Sequence, residues 1–124
     1  MTKILYVEDN EDNIYMLKWR LERNNYEVII AKNGQEGIDT TIRQQPDIIL
    51  MDVGLPIIDG FEATRILKQN TSTKSIPIIM LTAHATVEDS KKSFTVGADD
   101  YETKPVNMPG LIKKIINLLN KNGK

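Results

Sequence analysis

Four short segments put reactive side chains at positions where chemistry could use them: Glu8-Asp9, Asp52, Thr82 and Lys104-Pro105. Three carboxylates packed together repel, raise one another's proton affinity and destabilise a fold unless a cation sits among them. The natural partner is a hard divalent cation with oxygen ligands, Mg²⁺ by default. Mg²⁺ keeps several waters and binds a few protein carboxylates plus phosphate oxygens, so the cluster points toward phosphoryl chemistry. A carboxylate can itself be the nucleophile and form an aspartyl phosphate. The Lys104 ammonium and the Thr82 hydroxyl would then hold phosphoryl oxygens that the metal does not reach.

Taken singly, each segment is ordinary. A Glu-Asp pair after a strand is commonly a helix cap, a Thr there is usually structural, and Lys-Pro is a turn. The conjunction carries the information, because every one of these residues follows a short apolar run. The runs are Ile4–Val7, Val28–Ala31, Ile48–Met51, Ile78–Leu81 and a weaker Tyr101–Thr103. Four of them are rich in Val, Ile or Leu without polar alternation, which is how strands covered on both faces of a parallel sheet read. Helical patterns lie between them, near 13–24, 34–44, 60–69, 87–96 and 109–120. Asn33-Gly34, Pro46, Pro56, Asp59-Gly60, Pro77, Gly97 and Pro105 punctuate the joints, and Gly97 falls where a helix ends in a positive-φ residue. Five βα units predict an α/β fold, a doubly wound five-stranded parallel sheet with helices on both faces. In such folds chemistry gathers at the carboxyl ends of the strands, where these side chains fall.

The chain has 124 residues, the size of one domain, read here as a single unit over 1–124 with no output domain following and a frayed tail from Asn120 to Lys124. Sixteen basic against seventeen acidic residues leave a net charge of −1, so direct nucleic-acid binding through backbone neutralisation is not expected. Cysteine is absent, which excludes disulfides and thiolate chemistry and fits a reducing compartment. Acidic residues appear by position 8, too early for a signal peptide, and no apolar run of about 20 residues could cross a bilayer. The expectation is a soluble, cytoplasmic protein.

Val7-Glu8-Asp9-Asn10, Leu50-Met51-Asp52-Val53 with Pro56 and Asp59-Gly60, Leu81-Thr82-Ala83, and Gly97-Ala98-Asp99-Asp100-Tyr101 through Lys104-Pro105 together resemble the response-regulator receiver domain. The resemblance spans essentially the whole chain, in order and with the family's spacings. It implies the strand order 2-1-3-4-5 of the CheY-like fold. It implies Asp52 as phosphoacceptor, with Glu8, Asp9, Asp52 and the Gly54 backbone carbonyl binding Mg²⁺. Thr82 becomes the switch hydroxyl, Tyr101 the switch aromatic and Lys104 the phosphate-binding lysine, followed by a cis Lys-Pro peptide. The phosphoryl group would come from a sensor histidine kinase or a histidine phosphotransfer protein. A downstream protein would read the change on the face made by the fourth helix, fifth strand and fifth helix, where relatives also form weak dimers. Such a protein catalyses only its own phosphorylation and slow dephosphorylation, and is otherwise not an enzyme.

Three departures bear on dephosphorylation rate rather than on the chemistry. Gly54 lacks the side chain that leans over the site in relatives, Leu55 and Ile57-Ile58 stand where Met is frequent, and His84 is the sole histidine. A small-molecule phosphatase working through an aspartyl phosphate is the first alternative, but it commonly carries a second Asp where this chain has Gly54. A flavin carrier of the same topology would need a Ser/Thr/Gly-rich phosphate loop where Glu8-Asp9-Asn10-Glu11-Asp12 instead repels phosphate. A degenerate receiver acting as scaffold is disfavoured by the complete set of reactive residues.

Two surfaces stand out. In the first helix Ile14, Leu17 and Leu21 share a core stripe at 100° per residue, which puts Tyr15, Met16 and Trp19 on nearly the opposite face as a contact surface. The last helix carries Leu111, Ile112, Ile115, Ile116, Leu118 and Leu119, a stripe wider than one core face needs.

Overall fold

A computed structural model describes residues 1–84 and 86–121. Strands β1 (Lys3–Val7), β2 (Glu27–Ala31), β3 (Ile48–Asp52), β4 (Ile78–Thr82) and β5 (Asp100–Thr103) alternate with five helices. These are α1 (Glu11–Arg23), α2 (Gly34–Gln44), α3 (Gly60–Gln69), α4 (Val87–Thr95) and α5 (Met108–Lys121). The strands pair in parallel in the order β2-β1-β3-β4-β5, the expected doubly wound sheet.

Every residue of β3 and β4 is buried, as unbroken apolar runs in central strands require. β2 corrects the sequence reading. Its run looks the same, yet it is an edge strand with Glu27 exposed and Val28 to Ile30 half-buried. On one face of the sheet, Ile14, Leu17 and Leu21 of α1 and Leu111, Ile115 and Leu118 of α5 pack on Ile4, Tyr6, Leu50 and Ile79. On the other, Ile38 of α2 and Phe61, Ala63 and Leu67 of α3 pack on Leu5, Val7, Ile49, Met51 and Met80. α4 buries only Ser93, and its Lys92 ammonium sits 4.5 Å above the Phe61 ring.

Side chains of Asn10, Asn33, Asp59 and Thr86 each accept the backbone N–H three residues on, capping α1 to α4. The Asn10 cap starts α1 at Glu11, two residues before the position that apolar periodicity marks. α5 runs to Lys121, so Asn120 and Lys121 are helical rather than part of a tail; 122–124 lie outside the described residues. Gly97 takes φ +102° after α4, as expected. Gly60 opens α3 so close to β3 that a Cβ would come within 2.0 Å of the Asp52 carbonyl oxygen. Any larger residue there would push α3 off the end of β3.

Candidate functional site

β1 and β3 are neighbours paired through Val7 and Met51, so their continuations set Glu8 beside Asp52 at the carboxyl edge. β4 adds Thr82 on the far side of Asp52, and β5 delivers Lys104 one residue past its last strand residue. The Lys104 backbone N–H donates to the Thr82 carbonyl at 2.7 Å, carrying the ladder onto the site, and the Lys104–Pro105 peptide is cis. Carboxylate oxygens of Glu8, Asp9 and Asp52 lie within 4.8 Å of one another. The Lys104 Nζ donates to Asp52 Oδ1 at 2.5 Å and to Glu8 Oε1 at 3.1 Å.

The two inner carboxylates are held differently. Glu8 is buried and saturated with donors. Its Oε1 accepts from Lys104, from the Tyr6 hydroxyl at 3.2 Å and from Asn13 Nδ2 at 3.4 Å. Its Oε2 accepts the backbone N–H groups of Asp9 and Asn10 at 3.2 and 3.3 Å. Asp52 is also buried, and burial raises its carboxyl above the ordinary range. The charges of Glu8 and Asp9 push it the same way, while Lys104 pulls against them. Burial works against the Lys104 ammonium, but its bonds and charge contacts with Asp52 and Glu8 prevail and hold it above the usual lysine range. Burial, followed by the Glu8 charge, keeps the Tyr6 phenol protonated.

Of the other expected residues, Thr82 is buried with its hydroxyl directed to His84 and Asp89. Tyr101 is half-buried on β5, its ring edge-to-face with Phe94 of α4 at 5.9 Å and 84°. Lys114 of α5 places its ammonium 5.5 Å over that ring and donates to the Tyr101 carbonyl and to Glu102 Oε1. Gly54 is exposed two residues beyond Asp52, where a Cβ would meet nothing within 4 Å, and His84 is exposed. The fold therefore gathers Glu8, Asp9, Asp52 and Lys104 into one cluster, with Thr82 on the adjoining strand end. Tyr101 lies outside that cluster, against α4 and α5.

Tyr6 and Asn13 were not singled out by the sequence. Tyr6 was legible, since residues two apart on a strand share a face and a phenol two before a carboxylate can reach it. Asn13 was not, because its contact depends on where the Asn10 cap starts α1. Three carboxylate oxygens, two at buried residues and one at the exposed Asp9, form the oxygen-only donor set a hard divalent cation takes. The residues fit Mg²⁺.

The profile of the response regulator receiver domain matches residues 4–116. The chain belongs to that family. Protein PilH of Pseudomonas aeruginosa is 37% identical over 115 residues, covering 93% of this chain and 95% of that protein. The polar-differentiation response regulator DivK of Brucella ovis is 37% identical over 116 residues, covering 93% and 94%. Among solved structures, the receiver domain of a sensor histidine kinase of P. aeruginosa superposes with a TM-score of 0.89 at 33% identity. The match covers 96% of this chain and 98% of that one, and that structure has a magnesium ion coordinated in its active site cleft. Chemotaxis protein CheY4 of Vibrio cholerae gives 0.88 at 30% identity over 95% and 98%. This receiver domain is a module of two-component signalling, a signalling protein rather than a turnover enzyme. Among its described residues no helix is long and apolar enough to cross a membrane.

Proposed function

We propose that residues 1–124 form one receiver unit that takes a phosphoryl group onto Asp52 from a phosphohistidine on a kinase or phosphotransfer protein. The observation that carries this is the Asp52 carboxylate set between two further carboxylates and an ammonium at the sheet's carboxyl edge. An Asp52 oxygen attacks phosphorus as the phosphorus–nitrogen bond breaks, and the freed imidazole nitrogen takes a proton from solvent. Lys104 is already bonded to Asp52 and stays with the incoming phosphoryl oxygens as charge builds there. Glu8, Asp9, Asp52 and the Gly54 carbonyl would hold Mg²⁺, which neutralises negative charge on the phosphoryl group when bound. Tyr6, Asn13 and two backbone N–H groups fix the Glu8 carboxylate beforehand.

The donor approaches over α1. An open groove of about 300 Å³ between α1 and the start of α5 is lined by Tyr6, Asn13, Met16, Lys104, Pro105 and Met108. Beside it Tyr15, Met16 and Trp19 are exposed opposite the buried Ile14, Leu17 and Leu21, and Arg23 stacks 4.7 Å from the Trp19 ring. The output surface is α4, β5 and α5, where Tyr101 responds to a movement of Thr82 at the end of β4, and exposed Val87, Phe94 and Ile116 offer apolar contacts to a downstream protein or a second copy. This reading places the protein in the cytoplasm with its kinase.

Intact-mass spectrometry after incubation with acetyl phosphate tests the proposal. One phosphoryl group per chain should appear with Mg²⁺ and none with a chelator. No label, or equal label in chelator, overturns it.

A further inference from the structure

The Thr82 hydroxyl has one proton to give. It accepts the His84 backbone N–H at 3.1 Å, and its own proton faces two acceptors at 3.3 Å, the His84 carbonyl and Asp89 Oδ2. A carboxylate is the stronger acceptor, so the proton goes to Asp89. Asp89 is itself fixed in the first turn of α4. Its backbone N–H donates to the Thr86 cap at 3.1 Å, and its carbonyl accepts from the buried Ser93 hydroxyl at 2.9 Å. Among the described residues, then, the Thr82 hydroxyl is tied to α4 and not to Asp52.

We propose that Asp89 is a positioning residue that holds the Thr82 hydroxyl in the unphosphorylated state and couples it to the N-terminal turn of α4. The inference rests on Thr82 serving a phosphoryl group on Asp52. One proton cannot serve both Asp89 and a phosphoryl oxygen, so phosphorylation has to break the bond to Asp89. The released carboxylate then repels the new negative charge, which pushes the first turn of α4 away from the strand end. A pre-existing equilibrium is biased, with Asp89 favouring the inactive side. An acidic residue in a helix's first turn is common for dipole reasons alone, but that role needs no contact with Thr82.

The test is beryllofluoride, a phosphoryl mimic, titrated with Mg²⁺ into the wild-type chain, Asp89→Ala, Thr82→Ala and the double variant, followed by amide chemical shifts. Asp89→Ala should bind about fivefold more tightly, the loss of one ordinary hydrogen bond at about 1.4 kcal/mol per tenfold. In the Thr82→Ala background the same change should move affinity less than about twofold, because the proton it competes for is gone. Before any mimic is added, amides of α4 and β5 in Asp89→Ala should shift along the direction from the free to the bound wild-type spectrum. Asp89→Asn, which keeps the side-chain shape and a neutral acceptor, should fall between and guards against a poorly folded Ala variant. Equal effects with and without Thr82, or no tightening in either variant, would overturn the role of Asp89 alone. A wild-type chain that fails to bind the mimic removes the reading of Asp52, and this inference with it.

Discussion

Among the described residues Lys104 is the one cation bonded to both buried carboxylates of the site, Asp52 and Glu8, and replacing it with Met isolates what that costs. Its side chain is 24% exposed, whereas those of Asp52 and Glu8 are 9% and 2% exposed. Removing one partner of a fully buried ion pair costs about 3–5 kcal/mol, because the other charge stays behind unpaired. Water reaches Lys104 from one side, and Glu8 retains four other donors, so about 2–3 kcal/mol is the fitting figure. For a domain of this size that lowers the melting temperature by roughly 10 °C. The deficit should shrink when Mg²⁺ is added, since a second cation then compensates the same carboxylates. It should also fade on acidification. Burial already holds the Asp52 carboxyl above its ordinary range, and losing Lys104 removes the main influence pulling it down. The unpaired charge on Asp52 therefore disappears as pH falls through that raised value. Lys104 has a raised pKa in the fold, so its contribution is complete at neutral pH and would be lost only as pH rises past that value. Thermal melts of Lys104→Met and wild type, with and without Mg²⁺ at two pH values, decide the matter. Equal melting in chelator at neutral pH would refute the claim that Lys104 neutralises the site.

Other consequences can be checked alongside. Asp9 adds repulsion to Asp52 from an exposed position, so Asp9→Asn should weaken Mg²⁺ binding yet raise the metal-free melting temperature by a degree or so; a lower metal-free melt contradicts this. Because the Asp52 carboxyl lies above the ordinary range, protons should compete with Mg²⁺ before pH reaches about 4, and titrations showing constant affinity down to that pH would refute it. Trp19→Ala should slow phosphotransfer from a cognate protein donor tenfold or more, the scale of a contact-centre aromatic worth about 2 kcal/mol, while labelling by acetyl phosphate stays near normal. Both donors slowing together would mean that Trp19 supports the fold, and neither slowing would retire it from docking.

Much of the architecture was legible because central strands of parallel sheets leave unbroken apolar runs. Ile48–Met51 and Ile78–Leu81 are such runs and lie buried throughout in β3 and β4. β2 shows the limit of that signal, since an edge strand beside covering helices can be equally apolar while only half-buried. The cluster of Glu8, Asp9, Asp52 and Lys104 was legible from strand ends, because topology alone carries those ends to one edge. The α1 surface was legible too, since helical periodicity separates Ile14, Leu17 and Leu21 from Trp19 without tertiary information. The engagement of Thr82 with Asp89 was not, because it depends on how the connection after β4 turns into α4. No spacing rule fixes that path.

Reductive trapping tests the central claim most directly. Borohydride reduces an acyl phosphate to an alcohol, so a chain phosphorylated by acetyl phosphate with Mg²⁺, then reduced and digested, records which carboxylate carried the phosphoryl group. Conversion is expected at Asp52 alone, and none in Asp52→Asn. Conversion at Glu8, Asp9 or any other carboxylate of the wild-type chain, or undiminished labelling of the Asn variant, would contradict it.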